Sequence, residues 1–567
     1  MKLLSWPYRA ALVLAAFLAW LPAKTLRAQA PAWQAAIAST TSAIAVANAA
    51  DDNGNVYVVG YFDGILTLGN STLVSAGMYD VFVAKWSAAQ NAFVWAQRAG
   101  GTDIDFARDV AVRGNQVYVV GNLGSVDGDF GATQLATAGR ADVFVTRLTD
   151  NGPTSQFDWA TRAGGPDNES VWGVSVSGSA VYLAGEFDGA ASIFGPATLA
   201  SVGQGDAFVA KLLDAGNSGS FVWARQAGGR GSDAAMDVAV NGTRVYVTGL
   251  SDSPTAYFGS ASFTSAGSFD AFLVRLTDGG STADFDLVRA AGGTGSDAGT
   301  AVAVSGSNVY VAGTFRSSAI VFGATGFINA SLNGLTNDVF VAKMVDAGSN
   351  TVFNWAQQLG GTGNEDAQCL AVRGSSVYLA GSFQGTMNTS PSGPALASAG
   401  SSDAFVAALA DAGSTGRVRW VQAAGGTAGD FARGVALSGS TVYVAGSVHA
   451  PASFGPVAIG GPSNIWLAYV ASLNDAAGLA SASSAASGAL SLSPNPAHNR
   501  VTIQLPTIPG ATTATLTILD ALGRTIRTQT APTNAQADLD LTGLAPGLYA
   551  VRVAAGGSTA TRRLVVE

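Results

Sequence analysis

The chain is poor in the residues that most enzymes and most exported proteins lean on. It has one cysteine, Cys369, so no internal disulfide can form. Its two histidines, His449 and His498, stand in no metal-ligand spacing such as H-E-x-x-H. No Gly-x-Ser-x-Gly elbow lies between a strand and a helix, and no phosphate loop is visible. Charged residues make up 12% of 567 positions, against roughly 25% in ordinary globular domains. That scarcity, with a mean hydropathy of +0.28, raises the question of a membrane protein. Beyond the N-terminus, however, no apolar run approaches the roughly 18–20 residues of a spanning helix. The hydrophobicity is chopped into short runs bounded by Gly, Ser, Asn and Asp, which is the pattern of a β-rich globular chain.

Residues 1–30 read as an export leader. Lys2 and Arg9 supply positive charge, residues 10–21 an apolar stretch, and Ala28-Gln29-Ala30 an A-x-A cleavage signal. Cleavage after Ala30 removes four bases and no acid, taking the net charge from −9 to −13. Such a mature chain has no transmembrane helix, and its acidity argues against nucleic acid, whose phosphates need Lys/Arg patches. Cys369, in a run aligned with Asp-Val-Ala-Val and Ala-Val-Ala-Val of other copies, reads as a small buried apolar residue and not a nucleophile.

What the chain has in abundance is repetition. Val-Tyr recurs with its tyrosine at Tyr57, Tyr118, Tyr182, Tyr246, Tyr310, Tyr378 and Tyr443, spaced 61, 64, 64, 64, 68 and 65 residues apart. Each period holds four short apolar runs. The first is Asp-Val-Ala-Val-like (Asp109, Asp237), and the second carries the Val-Tyr. The third is Asp-x-Phe-Val-Ala-Lys, and the fourth is Phe-Val-Trp-Ala followed by Gly-Gly. Small β-branched residues, aromatics and Gly/Asn turns make all four antiparallel strands. Four strands per unit and seven units predict a seven-bladed β-propeller over residues 31–473. Trp33 precedes the first copy, and nothing follows the last Asp-x-Phe equivalent, taken as Asn464-Ile465-Trp466, that could serve as a Trp-bearing fourth run. The N-terminal segment is therefore expected to supply the outer strand of the last blade and close the ring.

The repeat resembles the family of bacterial seven-bladed propeller repeats with the signature G-N-x-Y-V-x-G, then D-x-F-V-x-K. The matches are Gly54-Asn55-Val56-Tyr57-Val58-Val59-Gly60 and Asp80-Val81-Phe82-Val83-Ala84-Lys85. The resemblance implies a fold and is nearly silent on function.

An acid follows each Gly-Gly by four positions: Asp105, Glu169, Asp233, Asp297, Glu365 and Asp430. These six are expected to circle one mouth of the channel, either holding calcium or engaging a cationic or sugar ligand, or else capping their own turns. The Asp-x-Phe acids Asp80, Asp142, Asp206, Asp270, Asp338 and Asp403 read as structural. A column of bases (Lys85, Arg147, Lys211, Arg275, Lys343) fails at Ala408 and Tyr469, and pairing between blades is expected to contribute little. Asp51-Asp52-Asn53-Gly54-Asn55 resembles the start of a calcium loop but lacks the downstream Glu, so it reads as a turn. The connection between the second and third strands, roughly twenty residues and variable, is where recognition is expected.

Residues 474–488 form an Ala/Ser/Gly linker, and a second β pattern of six or seven short strands fills 489–567 as a small sandwich. This module resembles the type A C-terminal sorting domain of type IX secretion in Bacteroidetes-like bacteria. The motifs are Ser493-Pro494-Asn495-Pro496, Asp520-Ala521-Leu522-Gly523-Arg524, the run from Leu541 to Tyr549, and the terminal Arg562-Arg563-Leu564-Val565-Val566-Glu567. The resemblance implies the type IX machinery of the outer membrane as a partner, and a secreted or surface destination. The functional expectation is a non-catalytic binding module for a glycan, a surface polymer or a protein. The alternatives are a polysaccharide-active hydrolase or lyase using acids, and a structural surface protein. No organic cofactor is expected, with calcium the one candidate ion.

Overall fold

The computed structural model describes residues 30–331, 336–348, 351–389, 395–476, 491–505, 512–520, 525–533, 535–555 and 558–567. The leader expectation and most of the linker thus lie outside the described residues. Among the described residues, no helix is long and apolar enough to cross a membrane.

Seven antiparallel sheets, five of four strands and two extended to six by an adjoining hairpin, form the blades within residues 33–474. The third is representative, with Glu169–Ser177, Ala180–Phe187, Asp206–Asp214 and Gly219–Ala227 side by side in chain order. The innermost strand of each sheet packs beside that of the next, and the last, Phe431–Ser438, returns to the first, Ile44–Ala50. The chain is a seven-bladed β-propeller. Middle strands such as Ser376–Phe383 are buried along their whole length because neighbouring blades cover both faces. This is why the second and third runs of each period are apolar without alternation.

The last blade is completed by the N-terminus. Trp33–Ala38 pairs antiparallel with Leu467–Asn474. The pairing corrects two sequence assignments. Val448 stands opposite Leu467, as Phe383 stands opposite Asp403, so Leu467-Ala468-Tyr469 is the Asp-x-Phe equivalent, and not Asn464-Ile465-Trp466. Tyr469 therefore occupies the Phe column, and Ser472, opposite Tyr443, occupies the base column. Likewise Trp33 is opposite Leu473, matching Phe221 opposite Leu212, while Ala35 takes the place of the other blades' Trp. Trp33 meets Phe454 edge-on at 5.2 Å, as Phe221 meets Phe194 at 5.6 Å. A Trp33→Phe variant should therefore lose only the indole bond to the Ala423 carbonyl, about 1 kcal/mol; chemical denaturation checks this, and a loss several times larger would contradict the register.

The long connections are not free loops. Each blade forms a β-hairpin there, such as Ser192–Phe194 with Ala197–Leu199, whose phenylalanine packs on the outer strand of its own blade. The hairpin also reaches the preceding blade, where Gly164 and Ile193 exchange backbone hydrogen bonds. They form a belt around the ring that stitches neighbouring blades together.

Residues 491–567 form two sheets. Ser491–Ser493, Arg500–Gln504 and Gln536–Asp540 make one; Thr525–Pro532, Thr513–Leu519, Gly547–Ala555 and Ser558–Val566 make the other. Val501, Ile503, Leu516, Ile518, Leu539, Val551 and Leu564 lie in the core between them. Asn495 accepts from the Val565 amide (2.8 Å) and donates to the Arg563 carbonyl (2.8 Å), tying the Ser-Pro-Asn-Pro motif to the terminal strand. Ala521 to Arg524 of the second motif lie outside the described residues.

Candidate functional site

Repeated residues serve the repeat, and the structure shows how. In blade three, Tyr182, Lys211 and Trp223 lie side by side across three strands. All three donate to one carboxylate of blade four: Asp278 accepts from Tyr182 (2.7 Å), Lys211 (2.6 Å) and Trp223 (3.1 Å), and from its own Gly280 amide (2.9 Å). The same clamp recurs at Asp150, Asp214 and Asp411. At Asp346 the Trp is missing (Leu287), and Arg275 adds a second acid, Asp286. At Asp475 the base comes from Arg419 in place of Ala408. These pairs are buried, so the expectation of weak surface ion pairs does not hold. The carboxylate column was legible as Asp-x-Gly at the end of the third run in five of its six members, Asp475 excepted, a signal the sequence reading passed over.

The six candidate calcium ligands are equally internal. Asp105, Glu169, Asp233, Asp297, Glu365 and Asp430 are each at most 1% exposed. Each accepts from the amide of the second Gly of its own Gly-Gly, for example Gly165 to Glu169 at 3.0 Å. Further donors are hydroxyls and amides of the following turn, such as Ser317 to Asp297. They sit in six separate blade junctions and are not among the channel-lining residues. Among the described residues no three His, Cys, Asp or Glu side chains converge as a metal site. Across each junction the acid faces the Asp-x-Phe carboxyl of the preceding blade. Asp142 lies near enough to Glu169, and Asp338 to Glu365, to act on it electrostatically. Among the described residues Oδ1 of Asp80, Asp142, Asp206, Asp270, Asp338 and Asp403 has no hydrogen-bond partner, while Oδ2 accepts from its own turn, as from Ala138 to Asp142 at 2.8 Å. Two carboxyl groups this close share a proton readily. Burial, with the neighbouring acid, pushes Glu169 up to about 7 and Glu365 to about 9. The first Gly of Gly-Gly is required here: at Gly100 (φ +129°) a Cβ would lie 2.4 Å from Asp80 Oδ1 and 2.8 Å from Asp105 Oδ2.

The Asp51 carboxylate accepts from the amides of Asn53 (2.9 Å) and Asn55 (2.8 Å), the hairpin turn expected.

What does not repeat lies in the central channel. Every innermost strand carries a β-bulge at the same point, seen as a register shift in all seven sheets. A bulge re-aims one side chain. The bulged residues are Val46, Arg108, Trp172, Met236, Thr300, Gln368 and Arg433, and all seven line the channel, a cavity of about 590 Å³. Seven positions equivalent by fold thus carry six kinds of side chain. In the sequence six of them fall three residues after a candidate acid, and Val46 falls three after Ala43, a position hidden by its irregularity.

The channel is asymmetric. Arg108 stacks on Trp172 (4.4 Å) and Phe106 (5.4 Å), and Arg433 stacks on Phe431 (5.2 Å). Tyr61 packs on Phe106 (4.5 Å), and its phenol lies in the field of both arginines. Trp466 continues the arc from Phe431 (5.5 Å) to His449 (3.8 Å). The arc covers blades seven, one, two and three; the far side presents Met236, Thr300 and Gln368. Deeper in, Asp109 and Asp237 line the channel, raised by burial to about 7 and about 8. Both oxygens of each accept backbone amides: Val110 and Val174 for Asp109, Val238 and Val302 for Asp237. Cys369 is half-buried in the same wall, its thiol pushed up by burial.

Comparison with known proteins adds the following. Residues 491–567 match the family described as secretion system C-terminal sorting domain. No curated protein matches the chain. Among solved structures, "Structure of YjhT" is similar at 10% identity and a TM-score of 0.32, covering 67% of this chain and 97% of that one. The extracellular domain of the putative one component system BT4673 from B. thetaiotaomicron is similar at 9% identity and a TM-score of 0.12, covering 95% and 99%.

Proposed function

We propose that this chain is a recognition module that binds a glycan, a surface polymer or a protein at the mouth of its propeller channel, without catalysing a reaction. Its sorting domain marks it as a secreted or cell-surface protein handled by the type IX machinery, so the ligand is met outside the cell. One observation carries the reading: the bulges aim seven side chains of six kinds into one cavity of an otherwise repetitive scaffold. A packing role would favour the same residue in each blade, as it does for the buried tyrosines.

An enzymatic reading would rest on Asp109 and Asp237. Both carboxylates are spent on backbone amides that couple neighbouring innermost strands, which supports binding over turnover. The test is a glycan and surface-protein array probed with the exported protein and with Trp172→Ala. Binding lost in the variant supports the reading, with a drop of about tenfold expected for a stacked aromatic. Equal binding by both proteins places the site elsewhere, and turnover abolished by Asp237→Asn replaces the module with an enzyme.

A further inference from the structure

Resting on the channel-mouth reading, we propose that the ligand is an acidic polysaccharide, one of whose sugar carboxylates is held between Arg108 and Arg433 while its rings lie on the aromatic arc. The argument begins with charge. The chain carries 38 acids against 29 bases, and its structural bases are paired: Lys85, Arg147, Lys211, Arg275, Lys343 and Arg419 all meet buried carboxylates. Arg108 and Arg433 break that rule. Among the described residues neither forms an ion pair. Glu186 lies near enough to Arg108 to act on it through space, and no acid acts on Arg433 in this way.

Both guanidinium groups are nevertheless half-buried, Arg108 between Phe106 and Trp172 and Arg433 against Phe431. An arginine stays protonated under such conditions, so its charge must be met by something. Stacking on Trp172, Phe106 and Phe431 meets part of it. The N–H groups are left over. Arg108 Nε donates to Asn122 Oδ1 (2.9 Å), which fixes the plane of the group and leaves its terminal nitrogens without an acceptor among the described residues. Arg433 Nε is buried and has no hydrogen-bond partner among the described residues. Two half-buried cations on either side of Val46, sharing one phenol neighbour in Tyr61, form a receptor for a planar oxyanion.

The surroundings point to a sugar acid more than to a bare ion. Tyr61, Phe106, Phe431 and Trp466 are half-buried flat faces beside the charge, suited to the apolar face of a pyranose. The cavity of about 590 Å³ lies within the roughly 300–1,000 Å³ of small-ligand sites. The residues opposite, Thr300 and Gln368, offer hydroxyl and amide groups for hydroxyls.

The test is calorimetric titration of the full exported protein with three trisaccharides: trigalacturonate, its methyl ester and neutral maltotriose. Binding of trigalacturonate alone is expected, weakening as salt rises. Arg108→Ala and Arg433→Ala should each reduce affinity about tenfold or more, with Arg433→Lys recovering part of it. Unchanged thermal midpoints show that the variants fold. Equal binding of acid and ester, or of either arginine variant and the parent, overturns the anionic assignment and leaves the channel-mouth reading standing. Failure of all three sugars overturns the assignment as well; the channel-mouth reading then stands or falls by the array with Trp172→Ala.

Discussion

Asp278→Ala is expected to destabilise the propeller by about 3–5 kcal/mol, the cost of stranding a buried charge. The carboxylate takes donors from Tyr182, Lys211, Trp223 and Gly280. Its removal leaves the Lys211 ammonium, 8% exposed, with only the Gly280 carbonyl. Equilibrium denaturation of the propeller signal measures this. A second substitution separates the charge from the packing: Lys211→Met beside Asp278→Ala should recover a large part of the loss, because the stranded charge is gone. If the double variant were no more stable than the single one, the clamp would act through its neutral hydrogen bonds. Asp278→Asn should fall between, since the amide accepts from Tyr182 or Trp223 but leaves Lys211 without its counter-charge.

The second large effect is on pH. Glu169, Glu365, Asp206 and Asp430 are raised, chiefly by burial, to about 7, 9, 6 and 6, each with the facing Asp or Glu of its junction adding to the rise. Such groups bind protons more tightly folded than unfolded. The stability they contribute is complete below about pH 4 and is lost as pH rises through 6 to 9. The clamp carboxylates Asp150, Asp214, Asp278, Asp346, Asp411 and Asp475 behave oppositely. Burial works to raise them, but the bases, tyrosines and amides that donate to them outweigh it and hold them low. Their stability is present above about pH 4 and lost in stronger acid. A stability maximum near pH 5 is therefore expected, with the thermal midpoint falling by about 10 °C toward pH 9.5. Glu365→Gln supplies a permanent donor to Asp338 and should flatten the alkaline arm by a few degrees while leaving pH 5 unchanged. A midpoint constant from pH 5 to 9.5 would show that the facing carboxyls share no proton.

The period and the order of runs made the ring legible, because a blade is a local unit whose strands follow one another along the chain. The closing strand was legible too, from an unpaired Trp33 at one end and a missing fourth run at the other. Its register was not. Trp33 looks like the missing Trp, yet in the sheet it occupies a phenylalanine slot, a distinction that only strand pairing makes. The candidate acids were found by their regularity and proved internal for the same reason. Arg108, Trp172 and Arg433 were passed over because reading by repetition discards what fails to repeat. Nor do their spacings show that a bulge turns them inward.

Closing the ring with its own beginning has a consequence for synthesis. Six blade junctions carry a carboxylate clamp and a facing carboxyl pair. The seventh has Ala88, Ser472 and Ala35 in place of the clamp, and Leu467 and Ala43 in place of the pair. That junction joins the last blade to the first, and it is held by apolar contacts such as Trp86 on Tyr443. A nascent chain cannot complete it until Leu467–Asn474 has been translated and Trp33–Ala38, made more than four hundred residues earlier, returns to it. The sorting residues 491–567 come later still. Every product that bears the export address therefore already owns all the strands of a finished ring, and one terminated within the ring carries neither closure nor address.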